Sequence, residues 1–203
     1  KSSIKTGKAL FLEKPLCISE EELIKLESMA ASSDDLPIIM VGHNRRFSPH
    51  LEQLHRWLLL RKNPLVIQYR VNSGFVPSDH WVHSEGEGRS RIVGEMTHFI
   101  DLLNSITGSS ISRVHAERIG GDNQSAVNND NIVVTLKFEE GSVANLTYAA
   151  SGDKAYSREK IEIFFEGNTV VSEDFRISKK HFGGKSETFK THGQEMGYRE
   201  ELK

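Results

Sequence analysis

The hydrophobic pattern changes along the chain, from helical spacing in the first half to alternation in the second. Across residues 91–106, Ile92, Val93, Met96, Phe99, Ile100, Leu102, Leu103 and Ile106 fall on one broad arc at about 100° per residue, which predicts a helix packed on a sheet. The polar remainder sets Glu95, His98 and Asp101 three residues apart, each one turn above the last. That spacing predicts an imidazole that shares a proton with a carboxylate and titrates near neutrality. An ordinary amphipathic helix that happens to carry a histidine would look the same.

Upstream, residues 8–13 and 37–42 are short apolar runs that predict buried strands of a parallel sheet. Between them Ser19 and Glu22 make a capping box, and Leu23, Ile24, Leu26, Met29 and Ala30 carry a helical period to about Ala31. The strand, helix, strand order is α/β in character. Lys14 stands before Pro15, and a residue before proline is pushed toward extended geometry. Lys14 is therefore expected at the carboxyl edge of the first strand, where open α/β sheets place ligands. The second strand runs out into a polar burst, His43-Asn44-Arg45-Arg46-Phe47, and Ser48-Pro49 starts a helix expected to reach about Lys62.

A strand is expected at 64–72, and from Ile111 onward the text is β-rich, with strands expected at 112–119, 131–138, 142–149, 160–165 and 169–175 and hairpin turns at 139–141 and 166–168. Alternation within these runs leaves one face wet, which implies an antiparallel sheet with helices on its other face. A long polar loop, residues 74–89, carries Asp79-His80-Trp81-Val82-His83; loops of that length inside a domain are usually lids or binding loops. Residues 179–191 are too polar to place, and residues 192–198 are expected to open a final helix.

Composition narrows the function classes. The formal charge of -2, with both signs interspersed, gives no basic stripe, so a nucleic-acid partner is not expected. Cys17 is the single cysteine and cannot close an internal disulfide, in keeping with a reducing, cytoplasmic setting. No apolar run approaches the roughly 18 residues of a membrane span, so no membrane partner is expected. Residues 2–7 read as the last turn of a helix and its glycine stop, so the chain is expected to be a piece of a longer protein.

Three motifs, Phe11-Leu12-Glu13-Lys14-Pro15-Leu16, the stretch from Val41 to Pro49, and Gly94-Glu95-Met96-Thr97-His98-Phe99-Ile100-Asp101, together resemble the glucose-fructose oxidoreductase/inositol dehydrogenase superfamily (Gfo/Idh/MocA) of nicotinamide-dependent enzymes. Among its branches the chain looks most like bacterial dehydrogenases with a Ser-Asp-His-Trp loop, here Ser78 to Trp81, a branch linked to surface-polysaccharide sugars. The resemblance implies an α+β chain: residues 1–43 as the tail of a Rossmann-type domain, and residues 44–203 as an open, mainly antiparallel sheet with helices on one face. That second part would serve substrate binding and homo-oligomer formation. It also implies hydride transfer between NAD or NADP and a hydroxyl-bearing carbon of a sugar or nucleotide sugar. Lys14 and His98 would then be catalytic, either one the base. Glu13, Lys14, Asn44 and Arg45 would touch the cofactor, and Asp79, His80, Trp81, Glu95 and Asp101 the sugar.

Two departures from the family pattern bear on these roles. Many members carry an aspartate four residues before the histidine and a glycine two before it, where this chain has Gly94 and Met96. Glu95 sits about 100° round the helix from that aspartate's place. The Gly-x-Gly-x-x-Gly fingerprint is absent, so this chain alone is expected to be inactive. Blander readings stand beside each role. Lys14 could be a plain strand-end lysine, and Arg45 and Arg46 a solvated turn. Asp79, His80, His83, Glu95 and His98 lack the ligand set of a metal site, and none is expected. His43, His50, His55, His115, His181 and His192 read as surface or capping residues, and Trp57 as core. The rival function is a non-catalytic sugar-binding or oligomerisation module.

Overall fold

The computed structural model describes residues 7–32, 37–77, 79–84, 90–120 and 130–203. The expectations placed on residues 1–6, on the loop 33–36, on Ser78 and on residues 85–89 lie outside the described residues. The chain forms a small parallel unit and a large, mostly antiparallel sheet covered by helices on one face.

The small unit is β1 (Leu10–Leu12), α1 (Glu20–Ala31) and β2 (Ile39–Val41), with the two strands paired in parallel. Helix α1 starts where its cap dictates: the Ser19 hydroxyl accepts the Glu22 N–H at 3.2 Å. The Glu22 carboxylate reaches back to the N–H of Ile18 at 2.9 Å. These strands are not buried as their apolar runs predict. Phe11, Ile39, Leu23 and Ile24 all remain exposed, because a two-stranded sheet offers no further layer to cover them among the described residues.

Helix α2 (Pro49–Leu58) is capped by the Ser48 hydroxyl, which accepts the His50 N–H at 3.1 Å, and carries proline at its first position, as the Ser-Pro signal dictates. It ends four residues before Lys62. The Glu166 carboxylate accepts the N–H groups of Lys62 and Asn63 at 2.7 and 2.8 Å and turns the chain into β3 (Val66–Asn72). Helix α3 spans Arg91–Thr107, capped by Ser90 and stopped by Gly108 at φ 66°. Next come β4 (Ile111–Arg118), β5 (Ile132–Phe138), β6 (Val143–Ala149), β7 (Glu159–Phe165), β8 (Asn168–Glu173), β9 (Ile177–Phe182) and β10 (Lys185–Lys190). The sheet order is β10-β9-β8-β7-β3-β6-β5-β4. Every neighbouring pair is antiparallel except β3 with β6.

Helices α2 and α3 pack on one face. Leu51, Leu54, Trp57, Phe99, Leu102 and Leu103 meet Ile67, Tyr69, Leu136, Leu146 and Ile163 in a single core. On the other face Val66, Val133 and Phe164 stay exposed. Most of the polar residues 179–191 fall in β9 and β10, a hairpin turned by Gly183 and Gly184, both at positive φ. This pair lies at the sheet edge, so the apolar alternation that marks a buried strand is missing from it. Residues 192–198 do not form the expected helix. The segment is tied instead to the turn between β8 and β9, as in the Glu195 N–H donating to the Phe175 carbonyl at 2.8 Å. Among the described helices none is long and apolar enough to cross a membrane.

His50 is not a surface residue. It is wholly buried between α2 and the sheet, with Nδ1 2.8 Å from the Ser178 hydroxyl and Nε2 2.9 Å from that of Thr191. Burial pushes its pKa down to about 4. The unfolded chain therefore takes up this proton near pH 6.5 while the fold resists until about pH 4. Stability from this residue is complete above pH 6.5 and falls as pH drops toward 4, by about 1 to 3 kcal/mol. Urea unfolding at pH 7.5 and 4.5 should show His50→Asn less stable than wild type at the higher pH but with a shallower loss on acidification; equal slopes would refute the assignment.

Candidate active site

Lys14 lies just past the end of β1, joined to Pro15 by a cis peptide bond, and faces the start of α3. Its Nζ donates to the Gly94 carbonyl at 3.0 Å, tying the small unit to the large one. Beside it is a cleft of about 540 Å³, within the size range of small-ligand sites. Glu13 and Lys14 line it from the end of β1, and Asn44 and Arg45 from the 3-10 turn Asn44–Phe47 after β2. His80 and Trp81 enter from the loop before α3, and Arg91, Glu95 and His98 from α3 itself. Asp79 and Asp101 are not among the lining residues.

The buried base of the cleft is an ion pair. Arg45 Nε and Nη2 donate to the two Glu159 oxygens at 2.9 and 2.6 Å, and the Tyr69 hydroxyl donates to Glu159 Oε2 at 2.5 Å. The Arg45 guanidinium also lies 4.9 Å from the centre of the Phe99 ring. Burial opposes the charge on Arg45, yet the bidentate Glu159 raises its pKa further still. Arg45 thus gives the cleft a wall, its charge already committed to Glu159. Asn44 donates Nδ2 to the Met196 carbonyl at 2.7 Å and leaves Oδ1 buried without a partner.

The proton-sharing stripe expected on α3 does not form. Glu95 is held by Arg91 at 3.1 Å and Arg158 at 3.3 Å, and Asp101 by a bidentate bond from Arg46. Permanently charged guanidinium groups take both carboxylates, because they bind them more strongly than a neutral imidazole can. His98 is left with Nδ1 buried and, among the described residues, without a hydrogen-bond partner, its ring edge-on to His43 with centroids 5.5 Å apart at 82°. Its pKa is pushed down to about 3, first by burial and then by Arg45, Lys14, His43 and Arg158. His98 therefore does not titrate near neutrality but stays a neutral imidazole. The Lys14 amine is likewise held below the usual lysine range, chiefly by burial, with Glu95 opposing and Arg45 adding to the shift. Among the described residues, outside the helix's own backbone, no atom lies within 4 Å of a side chain's starting position on Gly94, so α3 is bare there.

Four charged or polar lining residues were not singled out from the sequence: Arg91, Arg158, Tyr198 and Glu201. Arg158 precedes β7, and Tyr198 and Glu201 follow the polar tail, so no motif joins them to Lys14. Glu201 is pushed up by partial burial and by the nearby Glu13 and Asp101. His43, read as a surface or capping residue, is half-buried against His98. Among the described residues no group of three or more His, Cys, Asp or Glu could hold a metal ion.

A parallel strand unit whose carboxyl ends open onto a cleft, joined to a large open sheet, defines an α+β protein with a cleft between its two parts. The chain belongs to the GFO/IDH/MocA family, whose C-terminal domain matches residues 63–171. It is 24% identical over 181 residues to the uncharacterized oxidoreductase YrbE of Bacillus subtilis (strain 168), covering 87% of this chain and 51% of that protein. In fold it is similar to UDP-N-acetylglucosamine 3-dehydrogenase GnnA from Acidithiobacillus ferrooxidans, with a TM-score of 0.72 and 20% identity over 96% of this chain and 60% of that one. An inositol dehydrogenase homolog complexed with NAD+ from Azotobacter vinelandii superposes with a TM-score of 0.74 at 17% identity, over 93% of this chain and 52% of that one. The chain thus spans about half the length of the curated relative it matches.

Two measurements test this electrostatic picture. Glu159→Ala strands a buried guanidinium and should cost about 3 to 5 kcal/mol in urea unfolding, whereas Arg45→Met combined with Glu159→Met should recover much of that loss; a neutral single variant would contradict the pairing. In imidazole nitrogen NMR, His98 should stay neutral from pH 7.5 to 5, and a midpoint at or above about 6, the ordinary histidine range, would show that a carboxylate reaches it.

Proposed function

We propose that this chain is the substrate-side part of an oxidoreductase that transfers a hydride between NAD or NADP and a carbinol carbon of a sugar or nucleotide sugar. One observation carries the reading: the Lys14 amine and the His98 imidazole, both with lowered proton affinity, border one cleft at the carboxyl ends of two parallel strands. The dehydrogenases among the solved structures with this fold support the same class.

The residues present fit a nicotinamide ribose in part. Glu13, Lys14 and the unpartnered Asn44 Oδ1 supply acceptors and a donor at the strand ends, while the chain has no glycine fingerprint for a diphosphate. A nicotinamide bound there would accept or supply the hydride. The chain's own residues handle the proton. An imidazole with a pKa of about 3 is a poor proton acceptor at neutral pH, so His98 serves to orient the substrate hydroxyl. The Lys14 amine, lowered from its usual range, takes the hydroxyl proton as the carbon gives up its hydride, and returns it in the reverse direction. Trp81 and His80 cover the sugar, Trp81 through its flat apolar face. The exposed Val66, Val133 and Phe164 on the bare sheet face support a homo-oligomer formed through that face. Turnover by this scheme needs cofactor-binding residues beyond those of the present chain.

The test is nicotinamide absorbance in the full-length protein, with UDP-N-acetylglucosamine and myo-inositol as probes. Lys14→Ala and His98→Ala should each lower turnover by about a hundredfold or more while leaving the circular dichroism unchanged. Wild-type rates in both variants would overturn the catalytic assignment, and loss of activity on adding a chelator would point to metal chemistry instead.

A further inference from the structure

The end of the described chain returns to the cleft and leaves an aromatic ring there. We propose that Tyr198 is a sugar-contacting residue, which with Trp81 supplies the flat walls against which the C–H faces of a sugar or cyclitol ring pack. The proposal rests on the reading of the cleft as a sugar site.

Three observations carry it. The first is exposure: Trp81 and Tyr198 both line the cleft, yet keep 60% and 64% of their surface open to solvent. Large rings lining a concavity and left uncovered are what a ring-shaped ligand with apolar C–H patches would stack on.

The second is rigidity. Tyr198 does not sit on a loose tail, because the preceding residues are pinned to the turn that carries Asn44 and Arg45. Asn44 Nδ2 donates to the Met196 carbonyl at 2.7 Å, and the Ser48 hydroxyl donates to the Glu195 carbonyl at 2.6 Å. Gly197, at φ 86°, packs so closely that a side-chain carbon there would fall 2.2 Å from the Asn44 carbonyl oxygen and 2.6 Å from the Ser48 nitrogen. Only glycine allows that approach. After the ring, the Glu201 N–H closes the turn onto the Gly197 carbonyl at 2.9 Å. The backbone on both sides of Tyr198 is therefore fixed before any ligand arrives, which lowers the ordering cost of using the ring.

The third is complementarity. Tyr198 lies near enough to Arg45 to affect its protonation, so it borders the side of the cleft next to the strand ends. Trp81 comes from the loop before α3, a different segment of the chain. Lys14, Glu95 and Arg158 provide hydrogen bonds to hydroxyl groups, and the two rings provide apolar faces; a polyhydroxylated ring presents both kinds of surface.

The experiment is calorimetric binding of UDP-N-acetylglucosamine, glucose and myo-inositol to the full-length protein with NAD+ present. Tyr198→Ala should weaken the best-bound probe by about tenfold, and Tyr198→Phe, which keeps the ring, should restore the affinity. Wild-type affinity in Tyr198→Ala overturns the proposal, and so does a loss in Tyr198→Phe as large as in Tyr198→Ala, since the hydroxyl rather than the ring would then be the contact. A wild-type protein that binds none of the probes also overturns it. Lys14→Ala, assayed beside them, separates the two readings. If it loses turnover while Tyr198→Ala binds normally, only the stacking role falls. If it keeps turnover while Tyr198→Ala loses affinity, the sugar site stands and the catalytic assignment falls.

Discussion

A guanidinium removed from water needs a carboxylate with matched geometry, and Arg45 finds one in Glu159, 114 residues away in the chain. This pair joins the turn after β2 to the first residue of β7, and the Tyr69 hydroxyl from β3 completes it. Three segments remote in sequence are thereby held at one point directly beneath the cleft. Replacing either partner alone would leave a buried charge, so the turn carrying Asn44 and Arg45 has little freedom to settle elsewhere.

The same competition among charges decides the state of α3. Carboxylates one turn on either side of His98 were in reach of it by helix geometry, but Arg46, Arg91 and Arg158 claim them first. With its neighbours neutralised, His98 senses burial and the positive charges of Arg45 and Lys14, and remains uncharged. The residues that set this field come from four separate elements, and the cleft is where those elements meet.

The two parts of the chain differ in how well each is packed. The eight-stranded sheet and helices α2 and α3 close around one core in which Ile67, Phe99, Leu102 and Leu146 are fully excluded from solvent. In the β1, α1, β2 unit no residue of α1 is buried, and Phe11 and Ile39 remain exposed. The parallel pairing alone holds those strands in register, and the Lys14 bond to Gly94 links them to α3. The cleft therefore lies between a well-packed wall and one whose apolar surface is still largely open.

Local patterns alone were enough to locate most of the elements. Ser48-Pro49 determined the start of α2, the alternation of Val134, Leu136 and Phe138 determined the inward face of β5, and the i, i+3, i+4 arc determined that α3 packs on the sheet, because each depends only on neighbours within one turn or one strand. Motifs placed Lys14, His80, Trp81 and His98 in the candidate set, and the tertiary structure brings all four to one cleft. Proton affinity and hydrogen-bond partners were settled only in three dimensions. Whether Asp101 meets His98 or Arg46, whether Arg45 is free or paired, and whether His50 is wet or buried all depend on residues dozens of positions away. Tyr198 reaches the cleft by the fold of a polar tail with no periodicity to read, so its place was beyond any local pattern and was decided by Gly197 packing against Asn44.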